Sequence, residues 1–187
     1  GRRCGEAHLR PGEGLPAQGH GGADRPDEHE ARLVYGLESF DRGILKNLGK
    51  GSTPKKNEEA VKVCLDSGII PIPNIMIGFP EESFSTIRTT IESLIRMGIH
   101  AKPHFATAYP GSEWYYRYKG AIMDQYEGDL EKYVLDLGDA TKITATISHN
   151  FSPVELLGLQ QIVASRDLRL LDQSEKAWTS EQCPLVY

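Results

Sequence analysis

The order of its segments predicts an α/β fold in which parallel strands carry helices on their outside. Apolar runs at 32–40, 69–77 and 101–108 have the length of strands, and the segments between them repeat apolar residues at helical spacing. Strands that alternate with helices pair parallel, because each crossover returns the chain to the same end of the sheet. The middle run, Ile69-Ile70-Pro71-Ile72-Pro73-Asn74-Ile75-Met76-Ile77, lies between Gly68 and Gly78, and its density of isoleucine reads as a strand covered on both faces.

Residues 1–30 hold seven of the nineteen glycines, three of the six histidines and no aromatic residue. Such a segment cannot bury enough apolar surface to offset its ordering entropy, so it is expected to be disordered or foreign to the fold that follows. From Arg32 the texture changes. Arg32 to Phe40 is a strand that places Val34, Gly36 and Glu38 on one face and Leu33, Tyr35 and Leu37 on the other. A short helix over Asp41–Leu48 closes at Gly49. Thr53-Pro54 then supplies an N-cap and a first-turn proline to a helix that stops at Gly68, with Val61, Cys64 and Leu65 on one stripe.

Along the middle strand Ile72, Asn74 and Met76 share one face, while Pro73, Ile75 and Ile77 share the other. Asn74 therefore needs a partner, either neighbouring backbone or a ligand. Ser83 caps the next helix, in which Phe84, Ile87, Ile91, Leu94 and Ile95 recur until Gly98. Ala101 to Ala108 is the third strand and ends at Tyr109-Pro110-Gly111. The carboxyl ends of the strands, where active sites of such folds gather, then carry Glu38, the loop 78–82 and Tyr109. Beyond Gly120 the pattern is helical: Asp129–Leu137 up to Gly138, an irregular passage over Lys142–Ile147, and a capping box at Ser152-Pro153-Val154-Glu155 opening a helix to about Leu171. The polar stretch from Asp172 reads as a loose tail. The expected divisions are 1–30, a core over 31–120, a helical extension over 121–172 and a tail over 173–187.

With 21 basic and 26 acidic residues the chain carries a formal charge of −5, which argues against a general nucleic-acid binder. No run has the length of a membrane span and the glycine-rich start lacks the apolar core of a secretory signal, so a cytoplasmic location is the default. Cys4, Cys64 and Cys183 are odd in number and far apart, which indicates neither a disulfide framework nor a zinc knuckle.

Three motifs in this order resemble the second half of the radical S-adenosylmethionine (radical SAM) core, most closely its cobalamin-binding branch. They are Tyr35-Gly36-Leu37-Glu38-Ser39-Phe40 with Leu48-Gly49-Lys50-Gly51, then Asn74-Ile75-Met76-Ile77-Gly78-Phe79-Pro80-Glu81-Glu82, then Ala108-Tyr109-Pro110-Gly111-Ser112. The resemblance covers roughly Arg32 to Lys119 and implies strands four to six of a partial (βα) barrel, followed by a C-terminal helical extension. It implies that Glu38 faces bound SAM, that Lys50 lies near the methionyl carboxylate and that Asn74 bonds the ribose hydroxyls. Met76 and the turn Gly78-Phe79-Pro80 would line the adenine site, with Tyr109 close by. These residue types suit that ligand: an amide serves a diol, a cation pairs a carboxylate, and apolar groups flank a purine. The family holds a [4Fe–4S] cluster, cleaves SAM to a 5′-deoxyadenosyl radical for hydrogen abstraction from substrate, and draws electrons from a partner such as flavodoxin or ferredoxin. The branch adds cobalamin in the full-length protein. The identity of the substrate is not implied.

The chain departs from the family at the cluster, because it has no C-x3-C-x2-C triplet and lacks the first three strands. It therefore reads as a fragment of a radical SAM enzyme, with SAM-facing positions, no metal ligands and no catalytic residue identified, inactive as an isolated chain. Two readings from other classes stand beside it: a non-catalytic half-barrel module completed by another chain, and a hydrolytic metal site built on His100, His104 and His149.

Overall fold

A computed structural model of the chain describes residues 31–137 and 145–182. The segment 1–30, Gly138, the start of the irregular passage and the last residues, with Cys4 and Cys183, lie outside it. Among the described residues the architecture is α/β: a three-stranded parallel sheet in the order β1-β2-β3 and seven helices. The elements are β1 (Arg32–Glu38), α1 (Arg42–Asn47), α2 (Pro54–Asp66), β2 (Ile70–Ile77), α3 (Phe84–Met97), β3 (His104–Phe105), α4 (Glu113–Gln125), α5 (Leu130–Asp136), α6 (Pro153–Ser165) and α7 (Leu168–Gln182).

Local chemistry sets the helix starts. Asp41, Thr53, Ser83 and Ser152 each accept a backbone N–H of the first turn, and the last two form reciprocal capping boxes with Thr86 and Glu155. Gly98 ends α3 in the left-handed region at φ 69°. In the sheet, Val34 pairs with Ile72 and Gly36 with Asn74, and an irregularity before Glu38 brings that residue opposite Ile75. Met76 pairs with His104 and Ile77 with Phe105.

The structure corrects four sequence expectations. The middle strand is covered on one face only: Pro71, Pro73, Ile75 and Ile77 are buried, whereas Ile70 and Ile72 are exposed and Asn74 and Met76 half-buried. A run of isoleucine does not report which faces are covered, because burial is decided by the helices that pack on the strand from elsewhere in the chain. The third strand shrinks from the expected eight residues to two. Pro103 has no N–H to give a ladder, and its carbonyl is taken by the Gln160 amide of α6 at 2.8 Å. The helix expected to reach Leu171 breaks at Arg166, which is left-handed at φ 56° and sends its guanidinium to the Ile99 carbonyl at 3.0 Å. The stretch expected to be a loose tail is most of α7, tied to α3 by Arg88, which reaches Asp172 at 2.7 Å and Glu175 at 2.9 Å.

Two cores result. The larger joins the helix-covered face of β1 and β2 to α2, α3, α6 and α7 through Ile75, Ile77, Ile87, Ile91, Leu159 and Val163. The second lies beyond the carboxyl ends of β2 and β3 and is aromatic: Phe79, Tyr115, Tyr126 and Tyr133 pack there with Ile44 and Ile122. Among the described residues no helix is long and apolar enough to cross a membrane.

Candidate functional site

β1 ends in an unusual turn that aims one carboxylate. Glu38 is left-handed at φ 61°, a conformation that costs a non-glycine residue free energy and persists only where neighbours enforce it. The enforcing residue is Asn57 on α2. Its buried amide donates to the Leu37 and Ser39 carbonyls, both at 3.0 Å, and so grips the chain on either side of Glu38. Asn57 is held in turn by the Ser52 hydroxyl, which donates to its Oδ1 at 2.5 Å. The sequence carried a signal for this, since Asn57 falls on the buried stripe with Val61 and Cys64, where an amide needs a purpose.

Glu38 and Lys50 meet as an ion pair. The ammonium donates to Glu38 Oε1 and reaches the Gly36 carbonyl at 3.5 Å. The pair needs Gly36 to lack a side chain, for a Cβ there would stand 2.5 Å from Glu38 Oε1 and 2.8 Å from Lys50 Nζ. Both are ends of flexible side chains, so an added methyl would displace the pair and leave the strand standing. The other carboxylate oxygen, Glu38 Oε2, is buried without a hydrogen-bond partner among the described residues.

Asn74 stands beside this pair, because Gly36 is its register partner. Its Oδ1 is also buried and unpartnered among the described residues, so the backbone does not satisfy the amide oxygen. A third such atom, the Tyr35 hydroxyl, belongs to the helix-covered side; burial and the neighbouring Cys64 thiol push it up to about 12. Met76 follows Asn74 on the open face, half-buried against the aromatic core. Gly78 turns the chain at φ 87°, where a Cβ would also come within 3.1 Å of Leu156. Tyr109 is half-exposed after β3, near Tyr133, whose hydroxyl donates to the Ala108 carbonyl at 2.5 Å. Glu38, Lys50, Gly36 and Asn74 thus form one group at the carboxyl ends of β1 and β2. Met76 and Gly78 continue it along β2, and Tyr109 stands on the adjoining rim.

One residue that the sequence places only in the loop 78–82 is buried there with partners of its own. Glu82 is 3 % exposed, and its carboxylate accepts the Gly78 N–H at 3.2 Å and the Thr86 hydroxyl. Burial pushes its carboxyl up to about 7, against the opposing pull of the Thr86, Gly78 and Phe79 donors.

The arrangement leaves two lone-pair acceptors, Glu38 Oε2 and Asn74 Oδ1, beside a lysine. Such a set calls for a ligand that brings O–H or N–H donors together with a negative group. His100, His104 and His149 do not group. His100 Nε2 lies 2.6 Å from Arg166 Nη2, His104 sits in β3 opposite Met76, and His149 lies edge-on to Tyr118 at 5.7 Å. Among the described residues no three His, Cys, Asp or Glu stand together in a way that holds a metal ion, and Cys64 is a buried core residue.

No protein-family model matches the chain. Over 86 residues it is 36 % identical to an uncharacterized methyltransferase of Pyrococcus horikoshii, a stretch that makes up 45 % of this chain. The chain spans about a fifth of that relative's length, since the aligned part is 19 % of it.

Proposed function

We propose that the chain is the SAM-facing half of a radical SAM-type partial barrel, corresponding to strands four to six, in which Glu38, Lys50 and Asn74 bind S-adenosylmethionine. The observation that carries the reading is the pair of orphaned acceptors, Asn74 Oδ1 and Glu38 Oε2, buried at the carboxyl end of a parallel sheet. SAM brings donors for both, ribose hydroxyls for the amide and an ammonium for the carboxylate, and its own carboxylate suits Lys50. Likeness to a protein named a methyltransferase supports the same ligand. Met76 and the Gly78 turn would flank the purine, with Tyr109 at the rim. SAM supplies, when bound, a sulfonium whose methyl group is open to transfer and whose carbon–sulfur bond is open to one-electron cleavage. This chain's residues would orient the ligand and keep water from its sulfonium.

The donor set does not fit an iron–sulfur cluster, which needs three thiolates converging on one site, while Cys64 is buried among apolar neighbours. No step through a cluster, cobalamin or an external reductant follows from these residues. The division into a core over 31–120 and a helical extension remains part of the proposal. Calorimetric titration with SAM tests the reading. Binding that is weakened about tenfold by Asn74→Ala supports it, in line with the loss of ligand hydrogen bonds; equal affinity in mutant and parent, or no binding, sinks it.

A second reading, the half-barrel module completed by another chain, draws on the open sheet face, where Val34 is 67 % and Ile72 39 % exposed. At the amino ends of the strands this face runs into a groove of about 600 Å³ lined by Ile70, Ile72, Gly98 and Ile99. Sedimentation of the chain at increasing concentration tests it: a monomer throughout would count against self-association.

A further inference from the structure

The turn after β2 is held from two directions. From within, the Glu82 carboxylate bonds the Gly78 N–H and the Thr86 hydroxyl. From outside, the bend that leads into α6 lays two donors on the same turn: His149 N–H on the Pro80 carbonyl at 3.0 Å, and the Asn150 amide on the Glu82 carbonyl at 2.7 Å. The bend is braced by the Ser148 hydroxyl oxygen, which accepts the Phe151 N–H at 3.3 Å, and by Phe151, edge-on to Phe84 at 5.1 Å in the main core.

We infer that Glu82 and Asn150 are positioning residues: the buried carboxylate and the bend 148–151 together fix the turn 78–82, and with it the end of β2 that carries Asn74 and Met76. The helical extension then does more than cover the sheet, because its entry bend sets the geometry of the ligand side. The ligand part of this inference rests on the SAM reading above; the clamp itself does not.

Backbone donors and acceptors of a buried turn both need partners. A turn that leaves a strand through a left-handed glycine gives up its ladder partners, so its backbone groups need others. Gly78 N–H, the Pro80 carbonyl and the Glu82 carbonyl all find them: two of the three partners belong to the bend, and the third is the carboxylate of Glu82, the residue whose carbonyl the bend holds. The titratable group that acts on the Glu82 carboxyl is Asp41 at the α1 cap, which raises it further; Glu81 is its neighbour in the chain, and His149 on the bend turns its ring edge-on to Tyr118. With burial the dominant influence, the group changes protonation near neutrality, and the Gly78 bond is stronger when the carboxyl is ionised.

The experiment is amide NMR of the whole chain, following hydrogen exchange and pH titration at Gly78 in the parent, Glu82→Gln, Glu82→Ala and Asn150→Ala, with SAM added to the same samples. In the parent the Gly78 amide should be protected and its shift should titrate with a midpoint near 7. Glu82→Gln should keep the protection and lose the titration, since its carbonyl can accept from Gly78 while its amino group donates to the Thr86 oxygen. Asn150→Ala should speed exchange at Gly78 about tenfold with the fold intact, and should weaken SAM binding without touching the ligand. Unchanged exchange at Gly78 in Asn150→Ala, or a titration that survives Glu82→Gln, would overturn the inference. Should Glu82→Ala not fold, Glu82→Gln and Asn150→Ala still decide it. A parent that binds no SAM would defeat the ligand reading alone, and the Gly78 amide would then judge the clamp.

Discussion

The two faces of β2 are built from nearly the same residues and live in different surroundings. Ile75 and Ile77 are buried to 2 % or less against α2, α3 and α6, while Ile70 and Ile72 on the same strand are each 39 % exposed. The covered face is where the chain gains its stability. On the open face, Asn74 of β2 keeps a buried amide oxygen without a partner among the described residues, and the neighbouring β1 adds Gly36 and a left-handed Glu38. An orphaned acceptor is a cost borne for some other end, so the comparison separates residues that hold the protein together from residues that await a ligand or partner.

The largest test of that separation is truncation on each face. Ile75→Ala should cost about 2–5 kcal/mol in urea unfolding, since the side chain is fully buried and leaves a cavity, whereas Ile72→Ala should cost under about 1 kcal/mol. Similar costs on both faces would mean that the open side is covered in solution.

Next comes pH. Glu82 has a folded value of about 7 against an ordinary 4.5, so between those values the folded chain binds the extra proton. Stability should therefore fall as pH rises through that window, by on the order of 3 kcal/mol from this group, with the penalty complete above it and absent below it. Thermal melts at pH 5 and pH 8 measure the slope, and Glu82→Gln should flatten it. A slope that persists in the variant belongs to another group.

Smaller still is Asn74→Ala, which should shift stability by no more than about 0.5 kcal/mol, or raise it slightly, because the amide oxygen it removes has no partner to lose. A loss above about 2 kcal/mol would show that Asn74 supports the fold, and would move it from the ligand side of the comparison to the structural side. A comparably small effect is expected from Gly36→Ala: it should displace the Glu38–Lys50 pair and leave unfolding within about 0.5 kcal/mol, with a changed Lys50 ammonium resonance as the readout.

What was legible before folding was local. Thr53, Ser83 and Ser152 announce helix starts because a cap is chemistry between residues three apart, and Gly98 announces a stop because its backbone freedom is its own. Periodicity likewise sorted Ile72, Asn74 and Met76 from Pro73, Ile75 and Ile77. The break at Arg166 left a trace that was readable in hindsight: Asp167 accepts the N–H groups of Arg169 and Leu170, as a cap does. The helix at the end of the chain left a fainter one in Trp178, whose ring meets Phe84 at 5.9 Å.

By itself, then, the sequence determined the alternation of three strands with helices, several of the helix caps and the division of β2 into two faces, because these depend on neighbours within a few residues. Only the tertiary structure decided which face of β2 is covered, that Pro103 loses its strand to Gln160, that Asn57 holds Glu38 from 19 residues away and that Asn150 reaches back 68 residues to the turn at Glu82. Those outcomes turn on contacts between segments distant in the chain, and a buried polar atom shows whether it has a partner only once every such segment has taken its place.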